Sequence, residues 1–209
     1  MLNSEPSVEP LRERRRRELR RRLSDTATRM FVEQGFDAVR VADVARACGV
    51  TEKTVFNHFR SKESLVADRW DTQLDALRTR LADTTIAPLD AALEVLSEEL
   101  DFLVSSARRH GLAEVRRFGE LIRSTPALVA HYREARDRLT DALAENLATR
   151  SGTTPADPAA RITAGAIAGL WNVYAHSLQQ HLGTGATARA AKAIRADLAR
   201  AADTLRGGI

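Results

Sequence analysis

The segment Val41–Lys62, VADVARACGVTEKTVFNHFRSK, constrains this chain more than any other. Val41, Val44 and Ala45 recur at helical spacing and Gly49 then interrupts them. Thr51, whose hydroxyl can accept from an orphan amide at a helix start, opens a second short helix with Val55, Phe56 and Phe59 as its apolar contacts. Two short helices joined by a glycine turn present the second helix to the major groove of DNA. An arginine-dense stretch precedes them: RERRRRELRRR, residues 12–22, holds eight arginines. Residues 1–62 carry 14 basic and 9 acidic side chains and the remainder 18 and 19, so the net charge of +4 is concentrated at the helix–turn–helix end. That is the electrostatic footprint of a phosphate-binding surface.

The rest of the chain is expected to be helical as well. Only 5% of the 209 residues are aromatic, and Ala, Leu and Arg dominate, which favours helix over strand. No run of about 20 apolar residues would span a membrane. No secretory signal is visible, so the expected location is the cytoplasm, and the lone Cys48 fits a reducing compartment as a small buried packing residue. Nothing favours an enzyme or a cofactor. There is no glycine-rich phosphate loop, nucleophile elbow or metal-ligand cluster, and the five histidines, at 58, 110, 131, 176 and 181, lack metal-helix spacing.

Periodicity places about nine helices in an all-α fold. They are expected near 11–34, 41–48, 52–58, 62–82, 89–108, 112–123, 126–150, 159–181 and 186–205, after a disordered tail at 1–10. Gly35 ends the first helix and Gly183–Gly185 forms the last turn. Ser61 caps the fourth helix with Ser64 at N3, so the usual capping-box acid is missing there. The expected organisation is a three-helix DNA-binding domain over 11–62 and a ligand-binding and dimerisation domain over 63–209, with the fourth helix as connector.

The spacing of Phe31, Gly35-Phe36, Val41, Val44-Ala45, Gly49-Val50, Thr54-Val55-Phe56, Phe59 and Lys62 resembles the tetracycline-repressor (TetR) family DNA-binding domain. The match is in register over about 45 residues of MFVEQGF…VADVARACGVTEKTVFNHFRSKESL. The resemblance implies a homodimer whose N-terminal helices bind an operator, whose C-terminal helices bind a small molecule, and whose usual action is repression released by that ligand. It also implies that Lys62 and the aromatic at position 56 contact the DNA backbone. Two positions depart from the pattern. Phe56 stands where Tyr is common, which removes a hydroxyl-to-phosphate bond. Arg40 stands where Ser or Thr caps the second helix; it can meet phosphate by charge, but it leaves that helix start less secure.

The recognition helix presents Thr51, Lys53, Thr54, Phe56, Asn57 and His58 to DNA. Lys53 can reach a guanine edge or a phosphate, and Asn57 and His58 can bond bases or backbone. The arginine run reads equally as an arm along the minor groove or as a solvated helix extension.

In the C-terminal half, Ile167, Leu170, Trp171, Tyr174 and Leu178 form a large apolar stripe, and Ala164, Gly165, Ala168, Gly169 and Asn172 a stripe of small residues. The large stripe reads either as core or, with Leu100, Leu103, Phe118 and Ile122, as the lining of a ligand cavity with Arg117, Asn172 and His176 as polar groups. The segment TPALVAHYREARDRLTDALAENLATRSG and the Trp171 helix look similar to the sensor half of the mycofactocin-regulator subgroup. That likeness implies an acyl-coenzyme A type effector, or another apolar ligand. The expected function is a DNA-binding regulator, a repressor released by a ligand. The alternatives are an activator of the same fold and a helical scaffold with a nonspecific nucleic-acid-binding arm.

Overall fold

The computed structural model describes residues 11–182 and 187–208; the tail expected at 1–10 and the turn expected at 183–185 lie outside the described residues. The chain divides into two compact units, the first ending at Asp68 and the second beginning at Arg69. All regular structure among the described residues is helical.

The first unit contains α1 (Leu11–Gln34), α2 (Val41–Ala47), α3 (Glu52–Phe56) and a 3-10 turn at Glu63–Leu65. Its core joins Leu23, Ala27 and Phe31 of α1 to Val44 of α2, Val55 of α3, and Phe36, Phe59 and Leu65. Phe36 folds back so that its ring centroid lies 5.0 Å from that of Phe31. Gly35 permits this return at φ +89°, a region costly to a side-chain-bearing residue. Gly49, at φ +66°, ends α2 in a Schellman motif: the Val50 amide donates to the Ala45 carbonyl at 3.0 Å and the Gly49 amide to Arg46 at 3.1 Å.

Two helix starts differ from expectation. Arg40 does not leave α2 insecure, because Asp43 accepts from the Arg40 amide at 3.0 Å and from its Nε at 3.4 Å. The acid half of a capping box is thereby made, whereas an arginine has no acceptor with which to return the bond. These two bonds hold the Asp43 carboxyl below its usual range. At Ser61 the missing acid is replaced by a hydroxyl: Ser64 Oγ accepts from the Ser61 amide at 3.1 Å and Ser61 Oγ from the Ser64 amide at 3.3 Å.

The helix expected from Lys62 to Ala82 is broken. Ser64, Leu65, Val66 and Ala67 are all buried, a full turn with no outward face, so one continuous amphipathic helix cannot serve them. The segment closes as the 3-10 turn, and α4 (Asp68–Ala82) starts afresh.

The second unit continues with α5 (Pro88–His110), α6 (Leu112–Ser124), α7 (Pro126–Ser151), α8 (Pro158–Ala168), α9 (Leu170–His181) and α10 (Thr187–Gly207). In this unit α7 packs along α8 and α9 along α10, while α5 contacts each of α6 to α10. Leu74, Leu77, Leu96, Leu100, Leu139, Leu143, Ile167, Leu170, Trp171 and Ile194 share one core cluster. Asp157 caps α8 by accepting from the amides of Ala159 and Ala160 at 2.9 and 3.1 Å, with Pro158 in the first turn.

The helix expected over 159–181 is divided at Gly169, so the described residues form ten α-helices rather than nine. The Gly169 amide is shared between Gly165 (2.9 Å) and Ala166 (3.2 Å), and Asn172 donates back to Gly169 at 2.9 Å, a tightened turn. A Cβ on Gly169 would sit 2.9 Å from the Ala166 carbonyl oxygen, so glycine is what lets the turn tighten.

Candidate nucleic-acid interface and sensor cleft

On α3 one side is buried and the other free. Val55 and Phe59 face the core, while Thr51, Lys53, Phe56 and Asn57 are exposed. Thr51 caps the helix by accepting from the Thr54 amide at 3.2 Å, and the two hydroxyls lie 2.8 Å apart. Phe56 is 49% exposed, an aromatic side chain with no core role at the centre of the outward face. Such a ring suits a thymine methyl rather than a phosphate.

The arginine run is not an extended arm. It is helical from Leu11 onward, and its last residues serve the fold. Arg20 lies with its guanidinium 4.5 Å from the Phe59 ring centroid, donates from Nε to Asp68 at 2.6 Å, and donates from Nη1 to the His58 carbonyl. Arg22 donates to the Cys48 carbonyl at 2.9 Å, next to the turn. Both helices of the motif are thus held at their C-terminal ends by α1. No motif reveals this, because eight arginines in one run look alike; only helical phase sets 20 and 22 apart. Cys48 is buried and its thiol faces the Arg22 carbonyl at 3.8 Å.

Lys62, expected at phosphate, places its ammonium 4.3 Å from the Phe36 ring centroid and 5.5 Å from that of Phe31, so it also fastens the aromatic pair. His58 is half-buried; its own burial, then Arg16 and Arg20, push its pKa below the ordinary histidine value. Arg40 is exposed at the start of α2.

In the second unit, Leu100, Ile167, Trp171 and Tyr174 are buried in the core cluster. Leu103, Phe118 and Ile122 are half-buried, and Arg117, Asn172 and His176 are exposed. Asn172 accepts from Arg136 at 2.8 Å. The small-residue stripe divides too: Ala164 and Ala168 are buried, Gly165 and Asn172 are not.

A cleft of about 200 Å³ opens between α4 and α5, lined by Arg69, Gln73, Val95, Glu98, Glu99 and Phe102 among others. None of these was anticipated from the sequence. The available signal was polar residues in an apolar register: Gln73 precedes Leu74 and Leu77, and Glu99 follows Val95 by one turn. Gln73 is buried and accepts from Trp171 Nε1 at 2.7 Å.

Comparison with known proteins agrees with this arrangement. Residues 23–68 match the model for bacterial regulatory proteins of the tetR family, and residues 102–206 match the MftR C-terminal domain. The chain is 31% identical over 146 residues to the protein named as the mycofactocin biosynthesis transcriptional regulator MftR of Mycobacterium tuberculosis, covering 69% of this chain and 71% of that one. It is 29% identical over 102 residues to the transcriptional regulator AcrR of Shigella flexneri, covering 47% of each. The fold resembles that of SmeT in its triclosan complex, at a TM-score of 0.55 and 17% identity over 88% of this chain and 91% of that one. SmeT is named as the repressor of a Stenotrophomonas maltophilia multidrug efflux pump. Among the described residues no helix is long and apolar enough to cross a membrane. This chain belongs to the TetR family of DNA-binding transcriptional regulators, with a C-terminal half of the MftR type.

Proposed function

We propose that the protein is a cytoplasmic, homodimeric repressor that leaves a palindromic operator when a small molecule binds its second unit, and that it acts by binding rather than by catalysis. The observation that carries the DNA half is the outward face of α3, with Lys53, Phe56 and Asn57 free and the helix end held by Arg20. Residues 11–62 would form the DNA-binding domain and 63–209 the effector and dimerisation domain, with α4 joining them. Two copies would place their α3 helices in successive major grooves, about 34 Å apart. The effector must favour the DNA-incompetent state, since equal affinity for both states shifts nothing.

The cleft between α4 and α5 is the better supported effector site. The large stripe on α8 and α9 is closed, whereas this cleft is open and polar-edged. A nucleotide-bearing thioester such as an acyl-coenzyme A suits it less well than a compact ligand without negative charge, because it is small and two of its lining residues are carboxylates.

Fluorescence anisotropy with DNA from upstream of the protein's own gene tests the regulator reading. Binding should exceed that of a scrambled duplex by about a thousandfold; equal, salt-labile binding to both would count against operator recognition. Asn57→Ala is expected to change sequence preference, at about 1–3 kcal/mol per affected base pair. Lys62→Ala should weaken all sequences alike and flatten the salt dependence. Unchanged preference in Asn57→Ala would remove that residue from base readout.

Because burial holds the His58 imidazole below the ordinary histidine value, operator affinity is expected to depend on pH. At neutral pH the free protein holds the imidazole neutral, and nearby phosphates would favour its protonated form, so binding takes up a proton. Affinity should therefore rise as pH falls through and below the ordinary histidine range, and His58→Gln should abolish the trend. Folding responds in the opposite sense. The unfolded chain takes the proton at higher pH than the folded one, so the first unit loses stability as pH falls through the ordinary histidine range.

A further inference from the structure

At the mouth of the α4–α5 cleft Arg69 occupies a site built for a cation. Its Nε lies 3.1 Å from Glu99 Oε2, its Nη2 donates to the same oxygen, and its guanidinium carbon is 3.7 Å from the Phe102 ring centroid. The two partners are unequally placed: the Glu99 side chain is 13% exposed and that of Arg69 37%. The carboxylate lies on the interior side of the pair, and the guanidinium covers it on the solvent side.

The surroundings of Glu99 are aromatic and negative. Tyr132 packs edge-on against Trp70 at 4.9 Å, and Tyr174 lies in the core. Burial first of all pushes both tyrosine hydroxyls up; a bond to Trp70 opposes it at Tyr132 and the Glu99 carboxylate adds to it at both, so both stay neutral. The Tyr174 hydroxyl is buried and has no hydrogen-bond partner. A buried hydroxyl without a partner is costly. Glu98, also on the cleft wall, adds a second carboxylate and is paired outward with Arg80.

We propose that this cleft binds a compact organic cation with a flat delocalised or aromatic group. Glu99 is its counter-ion, Phe102 its stacking face, and Arg69 the built-in occupant that it displaces. The proposal rests on the reading of this cleft as the effector site. Exchange of one cation for another leaves Glu99 compensated throughout, and the released Arg69 moves its half-exposed head into water. An anion would have the opposite effect. It would draw Arg69 off and leave a nearly buried carboxylate without its counter-charge, which is strongly unfavourable.

The test uses the full-length protein and three probes of equal shape: benzamidine (cation), benzoate (anion) and benzamide (neutral). Binding is read by tryptophan fluorescence. The two tryptophans report directly, since Trp70 follows Arg69 in sequence and Trp171 bonds Gln73 on the cleft wall. Benzamidine is expected to bind more tightly than either isostere. Glu99→Gln should weaken it about tenfold, and Arg69→Met should tighten it by a similar factor, because the competitor is gone. Phe102→Leu, at a 40% exposed position, should weaken benzamidine several-fold and weaken benzamide less, since only the cation loses a cation–π contact; it decides the matter if Arg69→Met does not fold. Preferential binding of benzoate, loss of binding in Arg69→Met, or no binding of benzamidine would each overturn the proposal. An operator titration on the same samples reports the regulator reading separately. A bound cation with an unmoved operator complex upholds the site and removes its effector role.

Discussion

Replacing Trp171 by alanine is expected to destabilise the second unit by about 3–5 kcal/mol, the range for removing a large aromatic side chain from a core. Trp171 is 2% exposed and sits in the cluster with Leu74, Leu77, Leu100 and Ile194. Its indole nitrogen also donates to the buried Gln73 Oε1 at 2.7 Å, so alanine creates both a cavity and an orphaned amide. Trp171→Phe should retain much of the packing and cost about 1–3 kcal/mol, chiefly through the lost donor. Thermal and urea unfolding followed by circular dichroism check both. An unchanged melt with a lost effector response in Trp171→Ala would instead make this side chain a pocket wall.

Arg20→Ala is expected to reduce operator affinity by about ten- to a hundredfold, which corresponds to the roughly 1.5–3 kcal/mol of hydrogen bonding to charged groups. The side chain joins three parts of the first unit: the Phe59 ring, the carbonyl at the end of the recognition segment, and Asp68 at the first residue of α4. Its loss frees the C-terminal end of the recognition segment from α1 without touching the face that would read bases. The effect should therefore appear as equal weakening on operator and mutated operator, with the sequence preference intact. Arg21→Ala, an exposed neighbour in the same run, serves as control and should change only the salt-dependent part. Equal behaviour of the two variants would mean that Arg20 contributes charge alone.

Asp68 links the Arg20 contacts of the first unit to the start of α4. It is the first residue of α4 and the last of the first unit. A ligand that displaces Arg69, the next residue, would act on the chain directly adjoining the Arg20–Asp68 pair.

The helix–turn–helix was legible because its rules are local. Gly35 and Gly49 at positive φ, Thr51 as cap, and the period of Val44, Val55 and Phe59 all appear as expected. The fourth helix starts later than expected because Leu65 extends the apolar period of the helix that follows, whereas burial of all of Ser64–Ala67 leaves that turn no outward face. The eighth was misjudged because a glycine within a stripe of small residues resembles a packing site as much as a break, and only the close Ala166 carbonyl distinguishes them.

By itself the sequence determined the all-helical class, the family and the outward face of the recognition helix, since these depend on residues within a turn or two of one another. Only the tertiary structure decided which charged and polar residues serve as structure. Arg20 meets Asp68 across 48 positions, Arg69 meets Glu99 across 30, and Trp171 meets Gln73 across 98. Pairings at such separations leave no periodic trace in the chain. They depend on which helix faces pack together, and that is settled by the burial of the whole core rather than by any one segment.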